Sequence, residues 1–214
     1  MQNKHMEPGE KIARHAAPGA SPKGDDPDGG ADKAARLAAA IGGGDRAAAL
    51  TLIDELYGEG LFRFIHAMVR KDDVADDVYQ TTLLEAFRDL GTFGERSALR
   101  TWLYGIARHR CLDALKIGKR RQGRFAQEGE LPEQADAAPS AIERMGHAEL
   151  LAALGECLDE LAPETRMVLL MRFSEGMAYD EIARVCRASV ETMRARVSRA
   201  LQLLRRCVEA GEQA

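Results

Sequence analysis

The sequence predicts an all-α protein, built as two small helical domains joined by a flexible linker, the second of them a helix-turn-helix. Three observations carry this expectation. Ala and Leu dominate an apolar content of 45%, and aromatics reach only 5%, a composition suited to helices packed on helices. Large apolar residues recur at three- and four-residue steps through two long stretches, and no stretch carries a strand signal. Between those stretches, residues 122–146 hold Gly123, Gly129, Pro132, Pro139 and scattered charges, which is the composition of a linker. A length of 214 residues suits two such domains.

The elements follow in chain order. Residues 1–44 read as a disordered N-terminal extension. Pro8, Pro18, Pro22 and Pro27 stand there among Gly and Asp, with almost no large apolar residue over the first 30 positions. A short helix over 31–41, stopped by Gly42, Gly43 and Gly44, is the one element expected within it. Residues 45–121 form the first domain. Leu50, Ile53, Leu56, Tyr57, Leu61, Phe64, Ile65 and Met68 lie at helical steps. Asp72 or Asp73 caps the next helix, which carries Val74, Val78, Leu83, Leu84 and Phe87. After a turn at Gly91 and Gly94, Ser97 caps a third helix. It turns Leu99, Trp102, Leu103, Ile106 and Ala107 inward and runs through Leu112 and Leu115 into a basic tail.

Residues 147–210 form the second domain. Pro163 takes a first helical position, and its helix carries Val168, Leu169, Leu170 and Phe173 before stopping near Gly176. A short helix from Tyr179 to Val185 turns Ile182 and Ala183 inward. Ser189 then caps a longer helix with Val190, Met193, Val197, Ala200, Leu201 and Leu204 on one stripe.

The net charge of −4 argues at first against a nucleic-acid partner, but the charge is segregated. From Gly91 to Arg124, nine basic side chains are opposed only by Glu95 and Asp113. From Arg184 to Arg206, seven Arg are opposed only by Glu191. Two basic segments in an acidic chain suggest two separate polyanion contacts; solvated helix faces would carry the same charges. The four cysteines, Cys111, Cys157, Cys186 and Cys207, include no CxxC pair and fall on or beside apolar stripes. Free Cys behaves there as a small hydrophobe, so reduced structural thiols and no metal or other cofactor are expected. His109 and Cys111 stand close together but lack further ligands nearby. No run of 18 apolar residues is present, which excludes membrane insertion by a helix. No apolar run follows Lys4 and Lys11, so the chain is expected in the cytoplasm.

Three segments are candidate binding surfaces. The short helix, tight turn and long helix of residues 179–204 describe a helix-turn-helix. Arg194, Arg196, Ser198 and Arg199 project away from its apolar stripe. Such a helix enters a major groove, its early residues reaching base edges and its Arg side chains holding phosphates. A plain helical bundle with a solvated Arg face would share the pattern. The segment from Gly91 to Arg124 mixes aromatic and basic residues, the combination that stacks unpaired bases while tracking their backbone. Trp102 lies on the inward stripe and reads as core. Phe93 in the turn or Tyr104 on a flank is the better stacking residue, and Lys119, Arg120 and Arg121 read as phosphate contacts. The third segment, Asp72 to Asp89, holds six acids against Arg88. They complement a helix dipole or present a docking face, with Asp76, Asp77 and Gln80 within about one turn of each other.

These segments together resemble a family, the extracytoplasmic-function (ECF) sigma factors of the sigma-70 family. DDVADDVYQTTLLEAFRDL (72–90) is similar to the family's aspartate-rich segment with its Gln-x-Thr. SALRTWLYGIARHRCLDALK (97–116) resembles its Leu-Arg-Thr-Trp-Leu segment. LDELAPETRMVLLMRFSEGMAYDEIARVCRASVETMRARVSRALQLLRR (158–206) resembles its promoter-reading helix-turn-helix. The resemblance implies a sigma factor that binds core RNA polymerase and directs promoter recognition and DNA melting, without catalysis of its own. Residues 45–121 would then be region 2. Asp76, Asp77 and Gln80 would dock on polymerase. Phe93, Ser97, Arg100, Tyr104, Arg108, Lys116, Lys119, Arg120 and Arg121 would meet the minus-ten DNA. Residues 147–210 would be region 4, with Ser189, Thr192, Arg194, Ala195, Arg196, Ser198 and Arg199 at the minus-thirty-five element. The linker would lie in the RNA exit path, and an anti-sigma protein is an implied partner. Tyr79, Thr81 and Leu83 depart from the family's usual residues.

Two other classes compete with this reading. A polymerase-independent helix-turn-helix regulator explains Leu158 to Arg206 but leaves Asp72 to Lys116 unused. An enzyme would need a nucleophile–base–acid set, a phosphate loop or a metal spacing, and the sequence has none of these.

Overall fold

The computed structural model describes residues 27–93, 98–121 and 146–211. They form eight α-helices, and no strand occurs among the described residues. Helices α1 (Pro27–Gly42), α2 (Arg46–Val69), α3 (Asp72–Asp89) and α4 (Leu99–Arg121) make the N-terminal unit. Helices α5 (His147–Glu160), α6 (Pro163–Leu169), α7 (Tyr179–Cys186) and α8 (Val190–Gly211) make the C-terminal one. The expected linker lies outside the described residues except for Gly146, whose N–H is held by Glu149 Oε2 at 3.1 Å at the start of α5. Ser97 also lies outside them.

The helix ends follow local chemistry. Asp45 accepts from the Ala48 N–H at 3.0 Å and starts α2. The first position of α3 differs from expectation. Lys71 is the N-cap and gives no side-chain cap bond, while Asp72 and Asp73 sit inside the first turn, where their charge still favours the dipole. Pro163 stands at the start of α6 as expected. That helix widens into a π-type turn, Leu170–Ser174, and ends at Gly176, whose φ of +62° suits glycine. Phe173, within that turn, is 60% exposed, unlike the buried Val168 and Leu169. Leu201 is likewise largely exposed.

Two expectations need correction. The helix expected over 31–41 is present and starts earlier, at Pro27, but it is not part of a disordered extension: α1 packs Leu37 into a cluster with Ala49, Leu52, Ile53, Ala86, Leu90 and Leu103. The apolar face of α2 is wider than one partner can cover, and α1 closes its outer side. Second, Cys157 and Cys207 are not free thiols but a disulfide joining α5 to α8 across 50 residues of sequence. Spacing within a helix could not reveal a partner on a different helix. Cys111 and Cys186 remain thiols. Burial pushes the Cys111 thiol up to about 12, which makes it an inert packing residue.

The two units share one core. Leu61, Phe64, Ile65 and Met68 of α2, with Tyr104, Ala107 and Cys111 of α4, join Met167, Val168, Met171, Met177, Ile182, Met193 and Val197 in a single buried cluster. Polar contacts lie beside the seam. Arg166 of α6 is buried, donating to the Met68 carbonyl at 2.8 Å and to Asp159 at 2.6 Å. Arg70, at the end of α2, takes the same Asp159 carboxylate at 3.1 Å. One acid of α5 thus binds two guanidiniums, one from each unit.

Candidate nucleic-acid interface

Arg100, Tyr104 and Arg108 are spaced by four residues and so share one face of α4. The C-terminal unit covers that face. Tyr104 is 2% exposed; its ring lies 5.1 Å from Phe64, and its hydroxyl donates to Glu175 Oε2 at 2.5 Å. Arg100 stacks over the same ring at 5.5 Å. It donates to the Glu175 carbonyl and lies 3.7 Å from the Glu175 carboxylate. Burial, and after it the bond to Glu175, hold the Tyr104 phenol protonated far above its ordinary range, so it is a fixed donor. Burial raises the Cys186 thiol at the end of α7, and the nearby Arg108 guanidinium opposes that rise. His109 is pushed below its usual pKa, first by burial and then by the Arg108 and Arg187 guanidiniums. Tyr104 therefore does not stand on a flank. Two units press on α4 from different sides, and a position that one domain would leave open becomes interior.

Arg110 is half-buried and paired with Glu85 at 3.0 Å, while the basic residues near the end of α4 are open. Lys116, Lys119 and Arg120 are exposed along its last turns, and Arg121 ends it. Phe93 sits half-buried in the turn before α4, its ring 5.1 Å from that of Trp102. Trp102 is itself only half-buried against the outer cluster.

The recognition segment has the opposite character. Arg187 closes α7 in the left-handed region at φ 52°, which turns the chain sharply. Ser189 then caps α8: its hydroxyl oxygen accepts from the Thr192 N–H at 3.1 Å and bonds the Thr192 hydroxyl at 3.0 Å. Met193, Val197, Ala200 and Leu204 face inward. Arg194, Ala195, Ser198 and Arg199 are exposed and Arg196 is half-buried. The structure thus brings four candidate residues onto one open stretch of helix. On α3, Asp76, Asp77 and Gln80 are exposed together, on the side away from buried Ala75 and Val78. Among the described residues, no cluster of His, Cys, Asp and Glu could hold a metal ion, and no helix is long and apolar enough to cross a membrane.

Residues 53–121 match the family model for sigma-70 region 2, and residues 151–204 match that for sigma-70 region 4. The chain is 32% identical over 149 residues to the ECF RNA polymerase sigma factor SigC of Mycobacterium tuberculosis, covering 68% of this chain and 76% of that protein. It is 31% identical over 156 residues to the RNA polymerase sigma-H factor of Pseudomonas aeruginosa, covering 70% and 78% respectively.

The chain belongs to the ECF sigma factors of the sigma-70 family.

Among solved structures, it is similar in fold to the sigma factor RpoE of Bartonella quintana in complex with the anti-sigma factor NepR. The TM-score is 0.55 at 24% identity, over 72% of this chain and 93% of that one. In this sigma factor the region 2 match ends with α4 and the region 4 match runs from α5 into α8. The contact of Glu175 with Arg100 and Tyr104 is therefore a contact between the two regions.

Residue types and spacing pointed to the Arg positions of α4 and α8, and three further residues escaped that reading. Glu175 follows a turn and looks like one more surface acid. Arg166 carried a faint signal, a guanidinium directly beside the apolar run Met167–Leu170. Tyr179 sits at the start of α7, with Arg172 and Arg194 over its ring at 4.9 and 5.6 Å.

Proposed function

We propose that this sigma factor confers promoter recognition on bacterial RNA polymerase core, and that regions 2 and 4 must part before it does so fully. The carrying observation is an asymmetry. The recognition helix α8 presents Arg194, Ala195, Ser198 and Arg199 to solvent, while Arg100 and Tyr104 of region 2 are held under Glu175 of region 4. Upstream DNA contacts are available in the closed form; part of the minus-ten face is not.

In the open form the parts divide as follows. Asp76, Asp77 and Gln80 give region 2 an anionic docking face for a basic surface of polymerase. Phe93 and the basic residues of α4, with Ser97, hold an unpaired strand, since an extruded base needs both a stacking surface and phosphate clamps. Ser189 and Thr192 fix the start of α8. Arg194 and Arg196 hold the upstream element, with Arg199 on phosphate and Ala195 and Ser198 close enough for apolar or single hydrogen-bond contacts. The protein acts as a regulator of initiation and brings no chemistry of its own. Residues 45–121 and 147–210 are the working domains, and the cytoplasm is the compartment. An anti-sigma partner fits the reading, because the Bartonella quintana neighbour is bound to one and because any protein that favours the closed form would hold this chain silent.

The test is reconstitution with core polymerase. The purified chain co-elutes with core and starts transcription from a promoter selected from a random library. Asp76→Lys with Asp77→Lys reduces co-elution by charge reversal. A chain that binds promoter duplex tightly alone and never co-elutes with core is a polymerase-independent regulator instead, and the proposal is then wrong.

A further inference from the structure

We infer that Tyr179 is a positioning residue for base reading: its ring sets the pose of Arg194, and so narrows what region 4 accepts at one base pair of the upstream element. The inference rests on the reading of α7 and α8 as the promoter-reading pair.

The geometry is specific. Tyr179 opens α7, the first helix of the helix-turn-helix, and is half-buried against the core. Arg194 lies in the second turn of α8, on the exposed face. The Arg194 guanidinium carbon stands 5.6 Å from the Tyr179 ring centroid, within the range of a cation–π contact. The ring is itself fixed. Arg172 stacks over it at 4.9 Å while donating to the Met177 carbonyl at 3.0 Å. A ring braced on a neighbouring helix thus takes hold of a side chain that otherwise has several free torsions. Glu191, one turn before Arg194, is fully exposed and close enough to feel its charge. That carboxylate attracts the guanidinium without defining its plane, whereas an aromatic face does define it.

The consequence concerns discrimination more than strength. Arg reads a guanine edge with two parallel bonds, which demands the right plane as well as the right place. A free Arg loses side-chain entropy when it adopts that pose, and one already stacked loses less. A mobile Arg also finds phosphate oxygens, which carry no sequence information. Removing the ring therefore blunts choice at one position by about two- to fivefold, the range an exposed cation–π contact supports. Tyr179 is uncharged and neutralises no phosphate itself, so its loss does not make the salt dependence shallower.

The experiment uses holoenzyme made from core polymerase and full-length chain, bound to a promoter library randomised across the upstream element. Base preference at each position and the salt slope are read for the parent, Tyr179→Phe, Tyr179→Leu and Arg194→Ala. We expect Tyr179→Leu to lose preference at the same position as Arg194→Ala, Tyr179→Phe to retain it, and Tyr179→Leu to keep a slope at least as steep as the parent's. Adding Tyr179→Leu to Arg194→Ala should change nothing further at that position. A Phe variant as poor as the Leu variant overturns the inference, because the hydroxyl would then be the working group. So does a shallower slope or a uniform loss across all sequences for Tyr179→Leu, which would make Tyr179 a backbone contact. If Arg194→Ala alters preference and Tyr179→Leu does not, positioning fails while the helix-turn-helix reading stands. If Arg194→Ala leaves every preference intact, both fail. Thermal melts of each chain separate misfolding from loss of reading, and Tyr179→Phe, which keeps all apolar contacts of the ring, is the decisive variant.

Discussion

Replacing Glu175 should open the molecule, and the structure sets the scale. The Glu175 side chain is 4% exposed. One carboxylate oxygen accepts from the Tyr104 hydroxyl and faces Arg100; the other is buried with no partner. A hydrogen bond to a charged group contributes about 1.5–3 kcal/mol. Against this stands the desolvation of a carboxylate that uses only half its acceptor capacity. Glu175→Ala removes the accepting charge and leaves the Tyr104 hydroxyl unpaired inside the seam. Arg100 keeps its bond to the Glu175 backbone carbonyl, so the loss is partial. A net weakening of about 2 kcal/mol for the closed form corresponds to roughly a 30-fold shift toward the open one. Two measurements read this: X-ray scattering, in which the radius of gyration grows, and hydrogen exchange, in which amides of α4 around Tyr104 lose protection. The substitution leaves Asp76, Asp77 and the exposed residues of α8 unaltered, so association with core polymerase should become faster. A double cycle with Tyr104→Phe should return a coupling of about 1.5 kcal/mol or more. Unchanged scattering, unchanged exchange and zero coupling would refute the argument that this carboxylate fastens region 4 over region 2.

Two further outcomes follow from the seam. Arg166→Met removes the bonds to the Met68 carbonyl and to Asp159 while keeping an unbranched apolar stem. The orphaned carbonyl and the half-exposed acid should lower stability by about 2–3 kcal/mol in a denaturant titration, and a midpoint equal to the parent's would count against the contact. The Cys157–Cys207 disulfide closes a loop of 50 residues, so its reduction, or the double Ser variant, should lower region 4 stability by roughly 4 kcal/mol on the chain-entropy account. Coincident unfolding curves with and without reductant would exclude that bond as a staple.

Much of the architecture could be read in advance because it depends on local patterns. The helical repeat of Leu61, Phe64, Ile65 and Met68, the start at Pro163 and the cap at Ser189 are decided within a few residues, and each element stands where those signals placed it. The exposed Arg face of α8 was legible for the same reason: the inward stripe of Met193, Val197 and Ala200 leaves Arg194 and Arg199 no other side. What could not be read was set by distant partners. Tyr104 lies one step from the inward stripe in sequence, and only the arrival of α7 and Glu175 makes it interior. The pairing of Cys157 with Cys207 depends on α5 lying against α8. Tyr79, a departure from the family's usual residue, bonds Asp54 on α2, a contact that no spacing announces. The extension was misread in part because α1 is rich in Ala: two large residues, Leu37 and Ile41, suffice to anchor it.

The shared core has an unusual composition at its centre. Met68, Met167, Met171, Met177 and Met193 are all without measurable exposure. Thioether chains are unbranched and re-fit themselves to a changed neighbour at little expense. Beside Leu61, Ile65 and Ile182, these five chains give the joint a part that can adjust if regions 2 and 4 separate and meet again. The same sulfur atoms, once bared, are targets for oxidation to the polar sulfoxide. A molecule caught open under oxidative stress would then find its way back obstructed, and the length of time it stays available to polymerase would record the episode.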